Sequence, residues 1–180
     1  LLHIGSDDIV SQDAFPAAEL PFTILYEDAD LLIVDKPANM PTHPSAGHNG
    51  DTLANGLTFL FAQRGEPFVF RPVRNTSGII TLAKNQYAAG VLCKAMKAHQ
   101  IKKTYLAITE GFPPSESGRV ETGTRRREDF FVLREVCDID ASGASLTVTD
   151  YKLLQRNEAH ALLELHPLTG RTHQIRVHLA

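Results

Sequence analysis

The stretch Thr169-Gly170-Arg171-Thr172-His173-Gln174-Ile175-Arg176-Val177-His178 is the densest polar cluster of the chain, with two Arg, two His and one Gln within ten residues. If these residues form a strand, Gln174 and Ile175 point to opposite faces. If they form a helix, Thr172 is its cap, and Ile175 and Leu179 share one face. Periodicity alone leaves both conformations open. A helix that began here would direct backbone N–H groups and Arg side chains toward an anion, whereas the ordinary alternative is an exposed polar turn.

Short β-rich runs precede this stretch and outnumber the helical segments. Two helices are predicted, one that Asp51 caps and Gly65 ends, and one over residues 86–99 that Asn85 caps. Residues 38–50 and 111–129 are predicted as loops, the second with short strands at most. Strands are expected at 22–26 and 31–34 as a hairpin, and at 78–83, 104–109, 130–136, 144–154 and 160–165.

Because several strands follow one another directly, the pattern favours an α+β fold with a mixed, largely antiparallel sheet flanked by helices. Residues 1–20 are polar and irregular, and we interpret them as a tail or the remnant of a linker. Residues 21–180 are expected to form one domain.

Composition excludes several classes of protein. The 180 residues are 43% hydrophobic and 22% charged, which is ordinary for a globular protein and argues against general disorder. No apolar run approaches the roughly 20 residues that a membrane helix needs, and no signal peptide is visible. Cys93 and Cys137 form neither a CxxC pair nor a disulfide framework, which favours a reducing, cytoplasmic location.

The net charge of −3 conceals an uneven distribution along the chain. Residues 1–70 hold 2 basic and 10 acidic residues, whereas residues 71–135 hold 12 basic and 6 acidic residues. A basic segment inside an acidic chain is a candidate site for a polyanion, and a solvated face of mixed charge is an equally good interpretation.

Three shorter polar segments lie in or beside this basic region. Arg74-Asn75-Thr76-Ser77-Gly78 is a polar turn before a buried strand, a position that can hold a functional side chain. Lys102-Lys103-Thr104-Tyr105 places two cations before a strand tyrosine, which can stack on a nucleobase while the cations bind phosphates. Arg125-Arg126-Arg127 is better explained as a solvated loop.

Signatures of other chemistries are missing from the sequence. There is no Gly-rich phosphate loop and no GxSxG setting around Ser77. The pairs His43 with His48 and His173 with His178 form no HExxH motif and have no Cys partners, so we expect no metal.

Taken together, the blocks resemble the RluA-type RNA pseudouridine synthases over about residues 22–180. The resemblance rests on four ordered segments: residues 24–28 with 32–37, residues 74–84, residues 102–105 and residues 169–178. It implies the pseudouridine synthase catalytic fold and the isomerisation of uridine in structured RNA, ribosomal or transfer, with no cofactor, no membrane and no obligate protein partner.

The resemblance also assigns roles to individual residues. Tyr105 corresponds to the tyrosine that stacks on uracil and is proposed to accept the C5 proton, and Arg176 to the basic residue that pairs with the catalytic Asp. We expect Arg171, His173 and Gln174 to contact RNA or to support residues that do. The remaining expected RNA contacts are Lys36, Arg74, Thr76, Ser77, Gly78 and Lys103.

One departure from the family pattern concerns the nucleophile. The family signature is H/N-R-L-D-R-x-T-S-G, but Val73 here runs directly into Arg74, so about four residues including the Asp are absent. We favour the interpretation that the sequence joins two segments across missing residues, and we also expect residues to be missing after Ala180. The alternative is a non-catalytic RNA-binding protein that has lost the Asp. A phosphate-handling hydrolase that uses the His and Arg cluster is a weaker third hypothesis.

Overall fold

The computed structural model describes residues 15–45, 47–66, 77–127 and 133–180. The chain divides into two compact units, residues 1–98 and residues 99–180. Each unit contains its own sheet, and every described strand pair is antiparallel. The α+β class is therefore confirmed, with two antiparallel sheets in place of the single mixed sheet that we expected. That residues 21–180 act as one catalytic domain stays a prediction.

The described residues of the first unit form a three-stranded sheet and two helices. Its strands are β1 (Thr23–Glu27), β2 (Leu31–Lys36) and β3 (Gly78–Ala83), in the order β1-β2-β3. The predicted hairpin is confirmed as β1 and β2. The helices are α1 (Leu53–Arg64) and α2 (Gln86–Lys97).

The core of the first unit lies between α1 and the sheet. Leu53, Leu57 and Phe61 of α1 pack with Leu32 and Val34 of β2 in one buried cluster. One face of α1 is thus apolar and buried, and burial of several large apolar side chains is what stabilises so short a helix.

The predicted cap of α1 is wrong by one residue. Thr52 is the cap, because its hydroxyl accepts from the Asn55 N–H while the Asn55 side chain accepts from the Thr52 N–H. The Asp51 carboxylate instead accepts a hydrogen bond from the His48 ring over 2.6 Å. The predicted end of the helix at Gly65 is confirmed, with a φ of 66°.

Residues 15–20 do not behave as the tail that we predicted. The Asn55 side chain donates to the Pro16 carbonyl over 2.8 Å, and the Ala18 N–H donates to the Asn55 carbonyl over 3.2 Å. Phe15 and Leu20 pack against the core cluster. This part of the segment is therefore docked on α1.

In the second unit, the part that the structure describes forms a five-stranded antiparallel sheet and one short helix. Its strand order is β4-β8-β7-β5-β6. The elements are β4 (Tyr105–Glu110), β5 (Ser117–Arg126), β6 (Arg134–Cys137), β7 (Ser145–Arg156), β8 (His160–Pro167) and α3 (Gln174–His178). Residues 111–129 are therefore not simply a loop, because ten of them form β5, which pairs with β7 along most of its length.

The helix α3 settles the conformation of the polar stretch that the sequence left open. It covers Gln174–His178, so the helical alternative is correct. The predicted cap Thr172 is wrong: the cap position is His173, which has a φ of 57° and makes no side-chain cap hydrogen bond. Ile175 and Leu179 pack together against the buried cluster of the second unit, as the helical alternative predicted.

Candidate functional site

Tyr105 begins β4 and lies on the face of the five-stranded sheet that also carries α3. It is paired with Leu165 of β8, and its ring packs against the cluster that contains Tyr151 and Leu165. Ile175 of α3 packs against the same cluster. Tyr105 and α3 are therefore neighbours on one surface of the second unit.

The Tyr105 phenol is held in its neutral form. Burial raises its pKa above the ordinary value, because an apolar environment disfavours the phenolate. Among the described residues, the hydroxyl has no hydrogen-bond partner. A neutral ring of this kind is suited to stacking on a base. Because the phenol already carries a proton, its oxygen can accept another only if it transfers the first to a different group.

Gln174 fixes α3 and the preceding loop to β7. Its side-chain N–H groups donate to the Val148 carbonyl and to the Thr149 hydroxyl, each over 3.0 Å. Its side-chain oxygen accepts from the Thr169 hydroxyl over 2.8 Å and from the Arg171 N–H over 3.0 Å. The residue is 4% exposed. Of the two roles expected for Gln174, the geometry favours support of the loop, because every polar atom of the amide is occupied within the protein.

Arg176 and Arg171 present their charges to solvent. Both residues are exposed. Within residues 133–180 and the other described ranges, the Arg176 guanidinium has no hydrogen-bond or ion-pair partner. Because α3 is fixed by Gln174 and Ile175, the Arg176 side chain starts from a defined backbone position and remains available to an anionic group.

Lys103 approaches the same loop from the start of β4. It is half-buried, and a Cβ atom placed on Gly170 would lie 3.5 Å from its Nζ. The structure thus places Lys103, two residues before Tyr105, beside the loop that carries Arg171. That these residues share one site stays a prediction. Their contact with RNA stays a prediction.

His178, the last residue of α3, belongs to a short series of hydrogen bonds that the sequence did not predict. Thr147 donates its hydroxyl proton to the Thr122 carbonyl over 2.9 Å, so the His178 Nε2 lying 2.9 Å away must be the donor to Thr147. Burial lowers the pKa of His178, which favours the neutral ring. Thr147 and Thr149 were missed because a threonine in a strand gives no sign of the helix that it will contact.

Lys36 lies in the first unit and does not fit its predicted role. It is 2% exposed, and its Nζ donates to the carbonyl oxygens of Pro37 and Met40. Burial lowers its pKa. The geometry therefore argues against the phosphate contact that we expected, since the ammonium group secures the loop after β2.

Gly78 is paired with Lys36 at the end of the three-stranded sheet where β3 begins. Its φ is 99°, a conformation that side chains other than glycine rarely adopt. Ser77 before it is exposed. Arg74, Thr76 and the junction of Val73 with Arg74 lie outside the described residues.

The described residues lack both a membrane-spanning helix and a metal-binding cluster. None of their helices is long and apolar enough to cross a membrane. In the same residues, no group of three or more His, Cys, Asp or Glu side chains is placed to hold a metal ion.

The sequence profile described as RNA pseudouridylate synthase matches residues 30–180. The chain belongs to this family. The resemblance inferred from the motifs is thereby confirmed, and the RNA pseudouridylate synthase fold accounts for the α+β architecture.

Individual relatives agree with the family assignment. The chain is 32% identical to ribosomal large subunit pseudouridine synthase D of Blochmanniella floridana, over 99% of this chain and 56% of the relative. It is 34% identical to an uncharacterized RNA pseudouridine synthase of Chlorobaculum parvum, over 89% and 52% respectively. It is 32% identical to the mitochondrial tRNA pseudouridine(32) synthase of Saccharomyces cerevisiae, over 91% and 35%. The chain thus spans about half the length of the first two relatives.

A solved structure of the family has the same fold. Human RNA pseudouridylate synthase domain containing 4 superposes with a TM-score of 0.70 at 27% identity, over 87% of this chain and 63% of that one.

Proposed function

We propose that this RNA pseudouridylate synthase family member isomerises uridines in structured RNA to pseudouridine. The observation that carries the proposal is the surface that Tyr105 shares with α3, because a neutral aromatic ring lies against the same cluster as the helix that carries Arg176. Among the described residues, the exposed Arg176 guanidinium has no partner and is open to an anionic group. The printed names of its relatives include enzymes for ribosomal and for transfer RNA, and both remain candidate substrate classes.

The reaction sets clear chemical requirements. The bond between uracil N1 and C1′ breaks, a bond between C5 and C1′ forms, C5 loses a proton and N1 gains one. Atoms and electrons balance without an oxidant, a reductant or water. The target uridine must leave its stack to reach the site, and a flat aromatic ring such as Tyr105 can receive the extruded base.

The surrounding residues meet the needs of an anionic substrate. Lys103 and Arg171 lie beside the loop before α3, where they can bind phosphates on either side of the target uridine. Arg176 is assigned to the carboxylate nucleophile by the family pattern, and an Arg partner would keep such a carboxylate ionised at neutral pH. We propose the cytoplasm as the location of the reaction, because RNA substrates occur there and cysteines such as Cys93 and Cys137 stay reduced.

A second candidate function rests on one observation. The sequence has no Asp between Val73 and Arg74, so the chain as it stands lacks the nucleophile of the family. A protein with that sequence would bind RNA without modifying it.

A peptide map of the protein isolated from its natural source separates the two functions. The synthase proposal predicts extra residues between Val73 and Arg74 that include an Asp, together with pseudouridine in RNA incubated with the protein. A peptide that joins Val73 directly to Arg74, with RNA binding but no pseudouridine, would establish the binding function instead.

A further inference from the structure

Two arginines lie directly opposite each other at the end of the β5–β6 ribbon. Arg126 of β5 is paired with Arg134 of β6 across the antiparallel ladder. Like charges in this arrangement destabilise a sheet unless something neutralises them. In the part of the chain that the structure describes, neither side chain has a hydrogen-bond or ion-pair partner.

Neighbouring arginines of the same strand show the contrast. Arg125 donates to Glu135 over 2.7 Å, and Arg119 forms two hydrogen bonds with Asp150, the shorter of 2.6 Å. The sheet therefore supplies acidic partners to the arginines on one of its faces and leaves the Arg126–Arg134 pair without one.

The strand register shows which face carries this pair. Residues of β5 alternate between faces, so Arg126 shares a face with Thr122. Thr122 is paired with Thr147, whose hydroxyl contacts His178 of α3. Arg126 and Arg134 therefore lie on the sheet face that carries α3 and Tyr105, whereas Arg119 and Arg125 lie on the opposite face.

We propose that Arg126 and Arg134 form a docking site for the phosphate backbone of RNA, away from the uridine that Tyr105 receives. That the polyanion is RNA rests on the proposed function. Across the sheet, Tyr105 is paired with Leu165 of β8, Leu165 with Tyr151 of β7, and Tyr151 with Gly118 of β5. Gly118 therefore marks the position on β5 that is level with Tyr105. Gly118 and Arg126 are eight residues apart, which is roughly 25 Å along the strand. The site therefore holds RNA well beyond the target nucleotide.

This geometry predicts a dependence on RNA length. A polyanion reaches from Tyr105 to the arginine pair only if it spans at least that distance, which takes roughly eight nucleotides when they are stacked at about 3.4 Å each. Oligouridines of 4 and of 20 nucleotides are suitable probes. The arginine pair should contribute to binding of the longer probe and not of the shorter one.

The test compares two double variants of equal charge. Arg126→Gln with Arg134→Gln should raise the Kd for the 20-nucleotide probe on the order of tenfold. The slope of log affinity against log salt concentration should become shallower by the amount expected for the loss of about two phosphate contacts. The control, Arg119→Gln with Arg125→Gln, removes two charges from the opposite face and should change the Kd less than twofold.

Several outcomes would overturn the proposal. They are an equal loss of affinity in both double variants, no loss in either, or the same loss for the short and the long probe. Loss of folding in the Arg126→Gln and Arg134→Gln variant would also contradict it, because removal of like charges should leave thermal stability unchanged or higher.

The outcome for the proposed function is read separately, from pseudouridine formation by the unaltered protein. If the two double variants differ in Kd as expected but the unaltered protein forms no pseudouridine, the docking site is supported and the isomerase is refuted. If the unaltered protein forms pseudouridine but the two double variants have the same Kd, only the docking site is refuted.

Discussion

The Gln174 side chain donates a hydrogen bond to the Val148 carbonyl over 3.0 Å, and this bond joins the first turn of α3 to the middle strand of the second unit. The same amide also holds Thr149, Thr169 and the Arg171 N–H. The position of Arg176 two residues later therefore depends on a buried residue that need not touch RNA.

Replacement of Gln174 by Ala should reduce the free energy of unfolding by about 3 kcal/mol, because several buried polar groups lose their partner. Urea unfolding measures the loss. Gln155→Ala, at an exposed position of β7, is the control and should change stability by less than about 0.5 kcal/mol. Equal losses in the two variants would show that the Gln174 hydrogen bonds do not hold the loop.

Replacement of Lys36 by Met tests whether its ammonium group secures the loop after β2. Because Nζ holds the carbonyls of Pro37 and Met40, the variant should lose about 1–3 kcal/mol of stability. Its RNA affinity should keep the salt dependence of the unaltered protein. A salt dependence lowered by about one phosphate contact, with stability unchanged, would restore the original interpretation.

The His43 ring predicts how stability depends on pH. Burial lowers its pKa from 6.5 to about 4, so the unfolded chain binds a proton more readily than the folded protein. This contribution to stability is complete above pH 6.5 and should be lost progressively as the pH falls to about 4.

Urea unfolding of His43→Gln between pH 7.5 and 4 checks this expectation. The variant should show a smaller loss of stability on acidification than the unaltered protein, whereas His160→Gln, at an exposed position of β8, should show the full loss. If stability depends on pH in the same way in His43→Gln and in the unaltered protein, protonation of His43 does not contribute to the loss of stability at low pH.

Replacement of Arg176 by Ala should lower turnover by about 100-fold or more, if the guanidinium has the role proposed for it as the partner of the nucleophile. The midpoint of thermal unfolding should hardly move, because the side chain is exposed. Arg176→Lys keeps the charge but not the two-pronged geometry, and should recover only part of the rate. A control at exposed Arg156, replaced by Ala, should retain full turnover, and a large fall in stability of Arg176→Ala would instead indicate a structural role.

Hydrophobic periodicity predicted most of the fold, but it missed β5 for a physical reason. Gly118 and Gly123 resemble loop residues in the sequence. In the sheet, a Cβ at Gly118 would lie 2.7 Å from the Tyr151 hydroxyl, and one at Gly123 would lie 2.6 Å from the Asp138 carbonyl. Close packing, which no local pattern reports, requires these glycines inside a strand.

The candidate site was predictable to a similar extent. Local motifs located Tyr105, Arg176 and the loop before α3, because polar residues were concentrated there. They did not separate buried anchors from exposed contacts: Lys36 and Gln174 have the residue types of RNA contacts, yet they bond to the protein itself. Burial of a polar side chain depends on distant strands and on the loops around it, which sequence spacing does not show.

Tritium release measures the central claim most directly, because C5 must lose its hydrogen when uridine is isomerised. Ribosomal and transfer RNA labelled at uridine C5 would be incubated with the protein and with its Tyr105→Phe and Tyr151→Phe variants. The account predicts tritium release by the unaltered protein and by Tyr151→Phe, with one pseudouridine formed for each tritium released, and none by Tyr105→Phe although it still binds RNA. Full release by Tyr105→Phe would contradict the role of this tyrosine, and RNA binding without release by the unaltered protein would contradict the isomerase itself.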